Sequence, residues 1–256
     1  MLQKLKQEWT LFLVAVGFFT RIPVPKSIFV DQNKLNRASR YFALVGLCVG
    51  VISAITLAFF VQFLPASIAV LLSMIASVLL TGAFHEDGLA DTADGFGGGW
   101  TVADKLKIMK DSRLGSYGAI ALILALLLKW QLLTTLASSH IIKAVATLLL
   151  AHTLSRVVAA SFIFTERYVR DTEGKSKPLA TKQTKSDLWF LLTSGLIVVA
   201  FFPWSQMIIL ALVLLLLRLL LVHFFERQIG GYTGDTLGAV QQISEIVIYL
   251  TLVANM

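Results

Sequence analysis

Between residues 85 and 115 the chain gathers the side chains best suited to chemistry. The stretch reads His85-Glu86-Asp87-Gly88-Leu89-Ala90-Asp91-Thr92-Ala93-Asp94-Gly95, and after the run Gly97-Gly98-Gly99 it continues to Lys110-Asp111-Ser112-Arg113. Spacings of four and three put Asp87, Asp91 and Asp94 on one face of a helix turning about 100° per residue. Three converging carboxylates repel one another, and proteins commonly keep such groups ionised with a divalent cation held by hard oxygen ligands. Mg2+ is the expected ion: bound with several waters, it can bridge phosphate oxygens and stabilise a leaving phosphate. The alternative use of the acids is to solvate a helix end. Against it, Gly88 and Gly95 each cost about 1 kcal/mol relative to alanine in a helix, and their missing side chains permit close approach. Glu86 and His85 project off the three-aspartate face. Glu86 is kept as a further metal ligand and His85 as an acid or base. The glycine run reads equally as a phosphate cradle or a flexible connection.

Cations follow the acids. Arg113 can clamp two phosphate oxygens at once. Lys110 and Arg113 flank Asp111 and are candidates for gripping a pyrophosphate, with Asp111 between them, and anchoring at the headgroups is the plainer reading; the resemblance described below favours the functional one. Lys105 and Lys107 serve equally well as anchors at lipid headgroups. Near the end, Gly230 to Ala239 combines glycines with Thr233, Asp235 and Thr236 where the last apolar run begins. Asp235 is a candidate for a second metal and Thr233 and Thr236 for phosphate contacts, since helix-start amides bind phosphate; Asp235 or Thr236 capping the helix is the simpler reading. Arg21 and Arg40 fall at the same surface and are candidates to reach substrate, although topology alone would also place them there.

The elements that carry these groups are apolar. Hydrophobic residues make up 57% of the 256 and charged residues only 14%, with a mean hydropathy of +0.79. A soluble domain carries about 25% charge, so the composition indicates an integral membrane protein and excludes a large soluble catalytic domain. The lone Cys48 excludes an intrachain disulfide and a cysteine metal cluster, and is read as a small core residue. No RNA or DNA module is present, and the net charge of +7 reflects basic loops rather than a nucleic-acid partner.

A spanning helix needs about 20 apolar residues. Seven stretches qualify, at roughly 41–63, 67–84, 116–136, 141–164, 187–202, 204–222 and 236–254, the fifth being short. The expected fold is all-α: a single integral-membrane domain over 1–256 with about seven transmembrane helices. Residues 1–20 lack a cleavage signature and read as an interfacial or re-entrant helix. Segments 1–40, 85–115, 165–186 and 223–235 then share one face and hold 18 of the 22 lysines and arginines. By the positive-inside rule that face is cytoplasmic, and the chemistry belongs there. The run from Arg167 to Lys185 reads as a solvated loop. Two charges fall inside spans: Arg156 and Glu245 each sit nine residues from the cytoplasmic end, about 14 Å deep. At matching depth they are expected to form a structural pair.

The segment Phe84 to Gly95, with Ile108-Met109-Lys110-Asp111-Ser112-Arg113-Leu114-Gly115, resembles the signature of the cobalamin synthase family, the adenosylcobinamide-GDP ribazoletransferases. Phe19-Thr20-Arg21-Ile22-Pro23-Val24-Pro25, the run Tyr41 to Gly46, and Gly231 to Ala239 resemble that family too, so the likeness spans almost the whole chain. At Ala83 the family often has Gly, and at Glu86 an apolar residue. The resemblance implies a Mg2+-dependent transferase of the last stage of adenosylcobalamin (vitamin B12) biosynthesis, in the assembly of the nucleotide loop, in a prokaryotic plasma membrane. Its substrates would be adenosylcobinamide-GDP and α-ribazole or α-ribazole 5′-phosphate. A hydroxyl of the acceptor would attack the phosphorus nearer the corrinoid, releasing GMP. Displacement at a pyrophosphate needs metals, oxygen clamps and in-line positioning, as the acidic loop offers. The alternatives are a CDP-alcohol phosphotransferase, whose aspartate order this chain lacks, and a transporter, which would concentrate polar groups at mid-membrane and show repeats. The sequence leaves the oligomeric state open, a homo-oligomer included.

Overall fold

The computed structural model describes residues 2–25, 28, 31–169, 183–200 and 202–256. Among them the regular structure is helical: α1 (Leu2–Phe19), α2 (Gln32–Ala38), a 3-10 turn at Ser39–Tyr41, α3 (Phe42–Phe60), α4 (Ala66–Thr81), α5 (Phe84–Gly98), α6 (Val102–Ile108), α7 (Ser116–Ser139), α8 (Ile141–Thr165), α9 (Lys185–Val199), α10 (Trp204–Ile229) and α11 (Gly234–Ala254). The helix starts are written locally. Asp31 caps α2, and Thr101 with Asp104 and Thr184 with Asp187 close reciprocal boxes on α6 and α9. Glycines in the left-handed region, Gly82 and Gly230, end α4 and α10.

The chain is a multi-pass membrane protein. Five helical stretches are long and apolar enough to cross: Gln32–Phe60, Ser116–Ser139, Ile141–Thr165, Trp204–Ile229 and Gly234–Ala254. A sixth is reached if α4 and α5, bent by 86° at their junction, count as one span. The expected seventh, at 187–202, forms only the 15 residues of α9. At 1.5 Å each these give about 22 Å, less than the roughly 30 Å of a hydrocarbon core. Sequence hydropathy over-reads α9 because the apolar run continues through the turn at Pro203 into α10.

At the centre α3 packs on α8 through Gly46 and Gly50, one turn apart. A Cβ at Gly46 would collide with the His152 carbonyl, and one at Gly50 would stand 3.0 Å from the Leu148 carbonyl. Small residues at this spacing let membrane helices approach backbone to backbone. α11 packs beside α8 and α5, while α7 and α10 turn rows of leucine and isoleucine outward, including Leu124, Leu127, Leu215 and Leu219. One end of the bundle gathers the charged segments: Arg40 pairs with Asp187 at 3.3 Å and with Glu8, Lys105 bonds Gln228, and the Tyr232 amide donates to the Arg167 carbonyl at 2.9 Å. Arg40 therefore ties α1 and α9 to the start of α3 rather than standing open to substrate. The segment 167–185, read as a solvated loop, lies mostly outside the described residues.

Candidate active site

The acidic helix α5 is aimed by its corner. Gly82 and Ala83 both take positive φ, 66° and 59°, and two consecutive left-handed residues turn the chain sharply out of α4. Ala83 is strained in a conformation that suits glycine. The Arg21 amide donates to the Leu80 carbonyl at 2.7 Å, and its guanidinium lies where a Gly82 Cβ would be. Arg21 thus braces the corner from which α5 starts.

The glycines of α5 are contact points. A Cβ at Gly88 would stand 2.8 Å from the Asp235 carbonyl and 3.1 Å from Gly238 Cα, so α5 and α11 meet backbone to backbone. Gly95 faces Met109 of the α6 end, Gly97 faces the Tyr117 ring, and Gly99 faces the Lys105 backbone. Gly97 and Gly99 therefore sit at close contacts with α7 and α6, although Gly97 and Gly98 stay exposed, which favours a fixed turn over a flexible connection.

The three aspartates share a face but not a role. Asp87 is exposed and Asp91 half-buried, whereas Asp94 is buried. Asp94 accepts from the Gly115 amide at 2.7 Å and the Gly118 amide at 2.8 Å, one on each oxygen, and so caps α7 from another helix. Among the described residues no group of three or more His, Cys, Asp or Glu side chains is gathered for a metal ion. Asp235 stands half-buried at the first turn of α11, its backbone against Gly88.

Glu86 and His85 point inward. Glu86 accepts from Gln242 at 2.9 Å, inside the bundle, which turns it away from the metal-ligand role expected of it. His85 is buried, stacked on Phe19 with ring centroids 6.1 Å apart, and it lines an apolar pocket with Phe42 and Phe84. That placement removes it from the acid face where an acid or base would act. Thr233 and Thr236 are buried and spend their hydroxyls on a reciprocal cap of α11, with the Thr233 amide donating to Thr236 Oγ1 at 2.8 Å and the Thr236 amide to Thr233 Oγ1 at 3.2 Å. The capping alternative accounts for both threonines, and the expected phosphate contacts through their side chains are not formed by this geometry.

Asp111 and Arg113 do share a cleft with Asp94, next to Gly115 and Tyr117. Arg113 chelates Asp111 through Nε and Nη2, the latter at 2.5 Å, which holds the Asp111 carboxyl below the usual carboxylate range and pushes the guanidinium up. The exposed Lys110 adjoins them, whereas Lys105 is occupied by the Gln228 side chain at 2.5 Å.

A family model described as Cobalamin-5-phosphate synthase matches residues 11–253. The chain belongs to that family. Curated relatives agree along nearly the full length. An adenosylcobinamide-GDP ribazoletransferase of Shewanella sp. (strain W3-18-1) is 63% identical over 96% of this chain and 94% of its own. Those of Shewanella baltica (strain OS185) and Shewanella frigidimarina (strain NCIMB 400) are 61% and 59% identical, covering 96% and 97% of this chain and 94% and 95% of their own. No solved structure matches.

Beneath the acid face this cobalamin-5-phosphate synthase family member holds a polar core that sequence reasoning found only in part. Glu245 pairs with Lys129 of α7 at 2.9 Å and lies 3.5 Å from His152, and it accepts from Gln241 at 2.6 Å and from the Tyr249 hydroxyl at 2.9 Å. The expected direct pair with Arg156 is replaced by this one. Arg156 instead donates to the His152 carbonyl at 2.8 Å within its own helix. Lys129 went unnoticed because it interrupts a run otherwise apolar enough to span. The signal was there: a lone lysine inside a span needs a carboxylate, and Gln241, Glu245 and Tyr249 recur at four-residue spacing along α11.

Proposed function

We propose that the chain transfers the adenosylcobinamide-phosphate group of adenosylcobinamide-GDP to α-ribazole or α-ribazole 5′-phosphate with release of GMP, at the cytoplasmic face of a prokaryotic plasma membrane. Family membership and the names of the relatives support a transferase of the last stage of cobalamin biosynthesis. The observation that carries the local chemistry is the acid face of α5, where the exposed Asp87 and half-buried Asp91 stand one turn apart and Asp94 reaches a cleft lined by Asp111 and Arg113.

The residues fit a Mg2+ ion of a particular kind. Asp87 and Asp91 would supply two carboxylate ligands beside Asp94 at the start of α7, and the remaining positions would suit water and pyrophosphate oxygens, the usual manner of Mg2+ at phosphates. When bound, the ion would offset the charge that develops on the leaving phosphate. Asp235, at the α11 start against Gly88, borders the same edge. The chain's own part is to bind and align. Asp111 holds Arg113 by Nε and Nη2, Nη1 would serve a phosphate oxygen, and Lys110 would add a second charge. An acceptor hydroxyl oxygen then bonds to the phosphorus nearer the corrinoid while the bond from that phosphorus to the oxygen of GMP breaks. The cytoplasmic assignment rests on the 18 of 22 basic residues carried by the segments of that face.

The test is purified protein supplied with Mg2+, adenosylcobinamide-GDP and α-ribazole, following GMP release and the cobamide product together. Release of GMP with no cobamide formed would leave only a hydrolase, and no release would remove the reading.

A further inference from the structure

The inward face of α5 carries a charge that the transfer reaction does not use. Glu86 is buried; its Oε1 accepts from Gln242, and its Oε2 has no hydrogen-bond partner. Across a small cavity whose lining includes Ser77, Thr81, Glu86, His152, Gln241 and Glu245, the buried Arg156 presents Nε, a donor with no acceptor. The other two buried charges of the core, Lys129 and Glu245, close on each other, and both Glu245 oxygens are further taken by Gln241 and Tyr249. Glu245 borders the same space with both oxygens engaged, whereas Arg156 Nε and Glu86 Oε2 remain there as an unmatched donor and an unmatched acceptor.

We propose that Glu86 is the counter-ion of Arg156, joined to it through a water in the cavity, and that this pair positions α5 by fixing the rotation of the helix that carries Asp87 and Asp91. The cavity has room for about one water, and a buried water needs two to four polar partners. Arg156 Nε–H donates to it, Glu86 Oε2 accepts from it, and the unmatched His152 Nδ1 supplies a third contact. Four buried charges on α5, α7, α8 and α11 then sum to zero. Glu86 and Asp87 are consecutive and point about 100° apart, so turning the acid face in either direction drags Glu86 from its partner. An unpaired charge in that interior is costly, which makes the rotation stiff. Glu86 is therefore a positioning residue acting through the helix.

The inference rests on the proposed reading of Asp87 and Asp91, and the test separates the two. In detergent, Glu86→Gln and Arg156→Gln alone should each lower the melting temperature by roughly 6 °C, and the double change by clearly less than their sum. This arm needs no substrate. In the GMP-release assay Glu86→Gln should raise the Mg2+ concentration for half-maximal rate at least fivefold, with Glu86→Asp recovering part of the loss. Leu136→Ala, a core truncation far from α5, serves as the control for instability alone and should leave that concentration unchanged. If the glutamine variants do not fold, Glu86→Asp and Arg156→Lys with their double replace them in the melting cycle. Additive melting losses would overturn the pairing. Coupled losses with an unchanged Mg2+ requirement would overturn the positioning role. Wild-type protein that releases no GMP would count against the proposed function while leaving the melting cycle to decide the pair.

Discussion

Asp94 and Gly118 are locked together: the carboxylate accepts the Gly118 amide at 2.8 Å, and a Cβ on Gly118 would collide with the same carboxylate. The third aspartate of the acid helix is thus a foundation for α7, while Asp87 is exposed and Asp91 half-buried. The three should respond differently to substitution. Asp94→Ala removes a charged acceptor from two backbone donors, so a loss of about 2–3 kcal/mol in unfolding free energy is expected. Gly118→Ala should reproduce that loss. Asp87→Asn should leave the melting temperature within about 2 °C of wild type, since exposed positions contribute little. Equal destabilisation at positions 87 and 94 would refute the division of roles.

Ala83 sits at φ 59° where the helix pair α4–α5 turns. Replacing it with glycine relieves left-handed strain but adds freedom to the unfolded chain, with strain the larger of the two. Ala83→Gly should therefore stabilise by about 0.5–1 kcal/mol, and Ala83→Val should destabilise by more than that. Thermal melts of the two variants in one detergent check the signs.

Lys129 and Glu245, 2.9 Å apart inside the bundle, set up a second contrast. Lys129→Leu or Glu245→Leu alone strands a buried charge and should cost about 3–5 kcal/mol. The double leucine change should cost less than either single one. Additive losses would mean that the two side chains find other partners.

The shape of the acid helix was legible from residue type and spacing. The aspartates at four and three residues mark one helix edge, and Gly88 and Gly95 signal close approach, which the contacts with Asp235 and Met109 bear out. What escaped were contacts made at long sequence separation. Nothing local says that Asp94 will find amides more than 20 residues onward, or that Arg40 will be consumed by Glu8 and Asp187. The 86° corner was missed because Gly82-Ala83 reads as the tail of an apolar run, and windowed hydropathy does not register backbone handedness. Lys129 was lost to the same averaging, and with it the true partner of Glu245.

The orientation can be read from one engineered thiol. Trp100 is 94% exposed at the turn after α5. In a Cys48→Ala background, Trp100→Cys should resist an impermeant maleimide in intact cells and react once the inner face is opened. Labelling of intact cells would place the acid helix on the outside.

The most direct measurement is a Mg2+ titration of GMP release by wild type, Asp87→Asn and Asp91→Asn, each purified and checked by melting. Wild type should release GMP in step with cobamide formed and only when Mg2+ is present. Each variant should need on the order of tenfold more Mg2+, or lose turnover while staying folded. A wild-type enzyme whose Mg2+ dependence is unchanged by both substitutions would contradict the assignment of α5's open edge as the metal site.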